Sequence, residues 1–520
     1  MADIVIINPR FEVSYWGIEH ALPFFGKSAN LPVASLPLLA ALTPSAHRVT
    51  LIDENVEAID FERCAAADIV GITGMSVQRF RMTEILTELK RRGIFTVVGG
   101  PWVTVDETYF ADLADVIFVG EAEETWPRFL ADWAHSRHER RYEQSERTDM
   151  SHMPVPRFDL LKMQHYLYGS VQFSRGCPFA CEFCDIIVVF GRRPRLKTST
   201  QVIAEVTALR GQGMRSVFIV DDNLIGNKKA IKPVLRALAD WQKQEGYPLT
   251  FFTEATIDLA DDAELMALMV EANIVAVFVG IESPNEASLR ETKKFQNIRP
   301  GRSMIEKVHG IQSAGIEVWC GMIVGFDNDD PTIFDAQCRF LAQARITQSM
   351  TGMLAAIPKT PLHARLAKEG RLDPADSSPY GTNVIPLRLS REQLRDGYVR
   401  VMREIYAPDA YFARLNSLFI GENFTFGRAR SQYWRRHPWQ RRRVQLRQFV
   451  QTMVIIARLM RRIPDPALRR TYRRQLLGIL AARRDLFVVH VYAIRCALHF
   501  HAQMMVRQMD QSGGAIYNTI

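Results

Sequence analysis

Short β-branched runs alternate with helical stretches along the first 375 residues, and this alternation confines the chain to parallel α/β architectures. From Asp3 to about His135 the runs are Ile4–Asn8, Val49–Asp53, Ile69–Thr73, Thr96–Gly99 and Val116–Gly120. Strands this uniformly apolar predict a parallel sheet covered on both faces, with ligand loops beyond its C-terminal edge. Those loops carry Asn8-Pro9, Asp53-Glu54-Asn55, Thr73-Gly74-Met75-Ser76, Gly99-Gly100-Pro101 and Gly120-Glu121-Ala122-Glu123. A charged stretch near residues 136–150 and Met153-Pro154-Val155-Pro156 mark a linker. Six further runs follow: Val171–Ser174, Ser216–Val220, Leu249–Thr253, Val275–Gly280, Glu317–Gly325 and Ser349–Ile357, which predict a partial barrel with its site at the strands' C-terminal mouth. After Asp373 the pattern turns helical, and Gln511-Ser512-Gly513-Gly514 reads as a frayed tail. The expected domains are 1–145, a linker 146–168, 169–375 and 376–520.

Three of the seven cysteines fall within eight residues, in Ser174-Arg175-Gly176-Cys177-Pro178-Phe179-Ala180-Cys181-Glu182-Phe183-Cys184. Seven in 520 residues are too few and too uneven for a disulfide framework. Cys64, Cys320, Cys338 and Cys496 sit alone in apolar surroundings and read as small hydrophobes. At spacings of four and three, Cys177, Cys181 and Cys184 can wrap one iron–sulfur centre, whereas structural zinc would want a fourth ligand that no nearby Cys or His supplies. Three thiolates on a four-iron cubane leave one iron open.

The pattern CxxxCxxC, with Phe183 before its last cysteine, resembles the radical S-adenosylmethionine (SAM) superfamily. The resemblance implies a 4Fe-4S cluster whose open iron binds SAM and cleaves it to a 5′-deoxyadenosyl radical. Later strand ends supply the matching SAM contacts: Asp221-Asp222-Asn223, where the family usually has a Gly-Gly-Glu-like stretch; Glu254; Glu282 of Gly280-Ile281-Glu282-Ser283; and Gly321 and Gly325 of a GxIxG segment. Asn328 stands where that last segment ends in glutamate.

An α/β sheet ahead of such a barrel resembles the cobalamin-binding, class B, radical SAM enzymes over roughly residues 1–375. The resemblance implies a Rossmann-like cobalamin domain with Thr73, Gly74, Ser76, Gly99, Gly100, Gly120 and Glu121 along the cofactor. No Asp-x-His-x-x-Gly occurs, so cobalamin is expected without a histidine lower ligand. A nucleotide-binding or response-regulator-like sheet is the alternative, but GxGxxG is absent from the first turn. The implied chemistry is methylation of an unactivated carbon, with a ferredoxin- or flavodoxin-type electron donor. Cys184-Asp185-Ile186-Ile187, Val220 to Lys229 and Gly280 to Pro284 look like the hopanoid C-2 methylase branch, whose substrate is a polycyclic lipid. Cobalamin-dependent cyclisation or rearrangement, as on a tetrapyrrole, and tRNA modification stay open.

Net charge is +8, yet Arg428 to Arg507 holds 19 arginines against Asp465 and Asp485, leaving the remainder net acidic. A basic helical region of this kind reads either as a solvated helical face with local salt bridges to the acidic remainder or as a surface for an anionic membrane; nucleic acid is disfavoured for want of a compact binding module. The start of the chain lacks an export-signal pattern, so a cytoplasmic enzyme is expected, peripheral to the membrane's inner face.

Overall fold

A computed structural model describes residues 1–511; of the tail expected at 511–514, Gln511 is the last residue of a helix and 512–514 lie outside the described residues. The chain forms two compact units interleaved in sequence: Met1–Glu12, Ser28–Asn227 and Ala356–Arg365 make the first; Val13–Lys27, Lys228–Ala355 and the chain from Leu366 make the second.

The first unit contains a six-stranded sheet of β1 (Asp3–Asn8), β2 (Arg48–Asp53), β3 (Ile69–Thr73), β4 (Thr96–Gly99), β5 (Val116–Val119) and β6 (Arg141–Glu143), ordered β2-β1-β3-β4-β5-β6. Every pairing is parallel, as the near-continuous apolar runs require. Val5, Ile7, Ile52, Val70, Ile72 and Val98 from four of these strands share one core with Met82, Ile85 and Leu89 of helix Arg79–Arg91. β6 lies in the charged stretch that reads as linker. Its central Tyr142 is fully buried and stacks on Phe118 at 5.4 Å, while Arg141 and Glu143 face water; three residues are too short to show a period.

The six parallel strands of the second repeat are present. β7 (Gly169–Val171) pairs with β10 (Ser216–Ile219) in the first unit. β11 (Thr250–Glu254), β12 (Ile274–Glu282), β13 (Glu317–Val324) and β14 (Ser349–Met353) follow in order in the second. Between β7 and β10 an unexpected ladder joins β8 (Ser174–Arg175) to β9 (Arg195–Leu196) antiparallel.

The second unit also holds the helical region: helices Arg391–Ile405, Pro408–Asn416, Arg428–Arg436, Pro438–Arg462, Pro466–Arg483 and Leu486–Gln511. Ser390 opens the first with a capping box to Gln393, and Asp465 caps the helix that Pro466 starts. Buried polar contacts tie these helices to β14: Tyr406 Oη donates to Ser349 O at 2.7 Å and Gln348 Nε2 to Tyr411 Oη at 2.8 Å. His499 bridges Tyr472 Oη (2.6 Å) and Tyr406 O (3.0 Å). Cys64, Cys320 and Cys496 are buried and Cys338 is half-buried.

Candidate active site

The β8–β9 ladder pinches off residues 176–194, which carry the three cysteines. Gly176 takes φ +94°, and a Cβ there would stand 2.8 Å from Gly191 O. The loop closes on itself too tightly for any other residue. Cys177 N donates to Gly191 O at 3.2 Å and Cys184 N to Cys181 O at 3.2 Å. Cys181 is buried, with Cys177 and Cys184 half-buried.

Three consecutive residues beyond β10 hold the chain that leads into this loop and the start of the loop itself. Asp221 accepts from Phe173 N (2.7 Å), Ser174 N (2.8 Å) and Ser174 Oγ (2.5 Å). Asp222 accepts from Gly176 N at 2.9 Å, and Asn223 Nδ2 stands 3.9 Å from Cys177 Sγ. Burial pushes the Asp221 carboxyl up to about 7 and that of Asp222 to about 6.

Arg175, just ahead of the cysteines, is buried between Glu121 (2.8 Å) and Glu123 (2.7 Å) from the loop after β5. Arg195 of β9 reaches the other Glu121 oxygen at 2.8 Å, where Thr148 N also donates at 2.9 Å. Burial works to raise the Glu121 carboxyl, but the Arg175 charge and hydrogen bond, the Thr148 N–H and the Arg195 charge together outweigh it and hold the group low. The loop after β5 and the base of the cysteine loop are thus one ionic assembly. Val189, from helix Ile186–Val189 behind Cys184, shares the sheet core with Trp102 and Val103.

Among the described residues no group of three or more His, Cys, Asp or Glu side chains is gathered so as to hold a metal ion. Three cysteine thiols on one short loop still fit a cubane, since cubane ligands bind separate irons and so need not be gathered as donors to a single ion are.

At the first sheet's C-terminal edge, the order β2-β1-β3 places a topological switch between β1 and β3, where such sheets take ligands. Gly100 has φ +104°, and a Cβ there would lie 2.6 Å from Thr73 Oγ1 and 2.9 Å from Gly74 N, so the loops after β3 and β4 touch through it. Gly99 precedes it at the end of β4. Ser76 opens a 3₁₀ turn, and Gly120, at φ +84°, donates to Thr104 Oγ1 at 3.1 Å. Beside them Trp102 Nε1 is buried without a hydrogen-bond partner. A glycine-lined edge with an orphaned donor fits a large cofactor with polar fringes. Sequence reasoning missed a buried network at the switch: Asn8 Nδ2 to Asp53 Oδ1 (3.0 Å), Gln78 Nε2 to Asn8 Oδ1 (3.0 Å) and Tyr166 Oη to Asp53 Oδ2 (2.7 Å). Its only signal is a polar residue closing each of β1 and β2.

In the second unit, Glu282 ends β12 at φ +63°, a strained conformation for a side-chain-bearing residue. Lys294 Nζ holds it at 2.6 Å, and Asn297 Nδ2 donates to Gly280 O and Ile281 O, both at 2.9 Å. A Cβ on Gly321 would sit 3.7 Å from Glu282 Oε2, so these two residues are neighbours, and Glu254 ends the adjacent β11. Gly325 is apart: at φ +105° its missing Cβ makes room for Leu394. Asn328, standing where a glutamate is expected, binds the Glu291 carboxylate at 2.7 Å. Lys294 and Glu291 have no motif to reveal them.

Residues 30–130 match the B12 binding domain family, 171–336 the radical SAM superfamily and 360–513 a domain of unknown function, DUF4070. The chain is 41% identical over 423 residues to an uncharacterized methyltransferase of Synechocystis sp., covering 80% of this chain and 78% of that one. It is 35% identical over 417 residues to the hopanoid C-2 methylase of Rhodopseudomonas palustris, covering 79% and 78%. Among solved structures, the cobalamin-dependent SAM radical enzyme OxsB with aqua-cobalamin and SAM bound superposes with a TM-score of 0.59 at 13% identity, over 100% of this chain and 82% of that one.

Proposed function

Because this chain belongs to the cobalamin-dependent radical SAM methyltransferases, we propose that it methylates an unactivated carbon of a hydrophobic, hopanoid-like polycycle. Its cofactors are a 4Fe-4S cluster, SAM and cobalamin. Together they supply one-electron cleavage of SAM and a methyl group for a carbon-centred radical. The observation that carries the substrate assignment is the 35% identity to a hopanoid C-2 methylase across about four-fifths of both chains.

In this reading Cys177, Cys181 and Cys184 hold three irons. Asp221, Asp222 and Asn223 keep the cysteine loop in shape. Glu282, tethered by Lys294, accepts hydrogen bonds from SAM's hydroxyl or ammonium groups beside Gly321, with Glu254 completing that side, while Gly325 packs on Leu394 and shapes the end of β13 instead of touching SAM. Thr73, Gly74, Ser76, Gly99, Gly100 and Gly120 line cobalamin, while Glu121 fixes the cofactor edge to Arg175. Residues 1–145 serve as the cobalamin domain, 146–168 as linker, 169–375 as the radical SAM barrel and 376–520 as the helical domain. A ferredoxin- or flavodoxin-type protein delivers electrons, and the arginine-rich helices bring the enzyme to the anionic membrane in which such a substrate dissolves.

The test is anaerobic incubation of the reconstituted protein with methyl-labelled SAM and a membrane-lipid extract. Label in a polycyclic lipid is the expected result. SAM cleavage with no label transferred would redirect the reading to cyclisation or rearrangement, and label in RNA would overturn the substrate class.

A further inference from the structure

The solvent side of helix Pro438–Arg462 is apolar. A surface helix normally buries one stripe and gives the opposite side to charged residues. Here Thr452, Ile455 and Leu459 form the buried stripe. Trp439, Leu446, Phe449, Val450, Met453 and Val454 are exposed at 77, 66, 44, 53, 48 and 41%. At about 100° per residue these positions wrap into a single stripe centred roughly half a turn from the buried one. Exposed Arg442 and Arg443 lie on the same side between Trp439 and Leu446, Arg447 runs along the stripe's edge, and Arg461 and Arg462 follow its end. Residues 423–464 contain eleven arginines and no carboxylate.

Two kinds of partner satisfy only half of this surface. Nucleic acid would take the arginines and leave six apolar side chains in water. A second copy would cover the apolar stripe but press two arginine sets together, which opposes association. An anionic bilayer satisfies both, with headgroups against the guanidiniums and acyl chains against the stripe.

We propose that helix Pro438–Arg462 lies in the plane of an anionic membrane with its Trp439–Val454 stripe inserted below the headgroups. This builds on the membrane reading of the arginine-rich helices and names the inserted face. Among the described residues no helix is long and apolar enough to cross a membrane, and in-plane insertion requires none.

The full-length, cofactor-loaded protein would be floated with vesicles of phosphatidylcholine alone or mixed with phosphatidylglycerol at about 3:1. The expected result is flotation with mixed vesicles only, weakened by salt, with a blue shift of Trp439 emission that Trp439→Ser removes. The triple variant Leu446→Gln, Phe449→Gln, Met453→Gln should bind at least about tenfold more weakly. All three side chains face water, so its melting temperature and SAM cleavage should stay unchanged. Arg442→Gln and Arg443→Gln should each cost about fivefold in affinity.

Undiminished vesicle binding by the triple variant would overturn insertion while leaving charge-driven membrane contact intact. Absence of binding to either vesicle would sink both. A dimer of the native protein that the triple variant abolishes would assign the stripe to a second copy and overturn the proposal. Each readout is independent of turnover, so failure to methylate a lipid leaves this result standing.

Discussion

Replacing Asp221 with alanine should release the cysteine loop while sparing the rest of the molecule. The carboxylate satisfies three donors in the strand entering that loop, on Phe173 and Ser174, each of which is 2% exposed. Alanine leaves the two backbone N–H groups buried without partners, at about 1–3 kcal/mol each. Even the lower end, about 2 kcal/mol for the pair, exceeds the ~1.4 kcal/mol that changes an equilibrium tenfold. The cluster should therefore be lost to a chelator at least about tenfold more readily. Asp221→Asn keeps one acceptor oxygen but sets an NH2 donor against the other buried N–H, so it should lose the cluster about as readily as the alanine variant. The assay is anaerobic reconstitution, with iron and sulfide per chain and the decay of cluster absorbance under chelator, beside a melting curve of the apoprotein. If Asp221→Ala fills and holds its cluster like the native protein, the carboxylate does not maintain the loop and the reasoning fails. A native melt for Asp221→Asn with comparable cluster loss separates loop release from general unfolding.

Alanine at Cys177, Cys181 or Cys184 should abolish cluster absorbance and SAM cleavage; survival of both in any one variant removes that residue from the ligand set. Gly100→Ala drives a Cβ against Thr73 Oγ1 in a backbone conformation that disfavours side chains, and should weaken cobalamin retention about tenfold or more. Gly213→Ala, also at positive φ but in open space, should cost only about 1 kcal/mol and leave cobalamin bound; equal cofactor loss in both would refute the role of the Thr73–Gly100 contact. Burial depresses His499 and His501 to about 3 each, so below the ordinary 6.5 the unfolded chain takes up protons that the folded chain refuses. Stability is then full above pH 6.5 and falls towards 3, with each imidazole costing about 2 kcal/mol by pH 5. A urea midpoint unchanged between pH 7.5 and 5 would contradict this.

The strands that sequence locates best are those whose residues carry their own signal. β3 and β4 coincide with their predicted runs because both are buried on two sides and bounded by glycine or polar loops. β6, β8 and β9 span two or three residues each, and no periodicity can be read at that length. The cysteine loop is legible because its ligands are neighbours in sequence. What holds it is not, since Asp221 meets Ser174 across 47 residues and Glu121 meets Arg175 across 54. The Asp221-Asp222-Asn223 run is visible as a polar strand end, but only coordinates reveal that it faces backbone donors. Glu282 is readable from its motif, whereas Lys294, twelve residues on, becomes visible only through the turn that folds it back. The arginine excess of the helical region is plain in composition. The apolar stripe is not, because it takes solvent exposure to tell an outward Leu446 from an inward Leu459.

The Glu121–Arg175–Arg195 assembly also bears on how such enzymes can exchange parts. The sequence families divide the chain near residue 130 and again near 171, whereas the first compact unit runs unbroken from Ser28 to Asn227. A chimaera joined at the family borders would set the buried Arg175 guanidinium against a foreign loop and strand its charge, costing several kcal/mol. A crossover at Asn227 instead transfers the sheet edge, the cysteine loop and the carboxylates that grip it as one heritable block. Recombination between relatives should therefore keep the cysteine loop and its anchors together at Asn227 and separate them at the family borders.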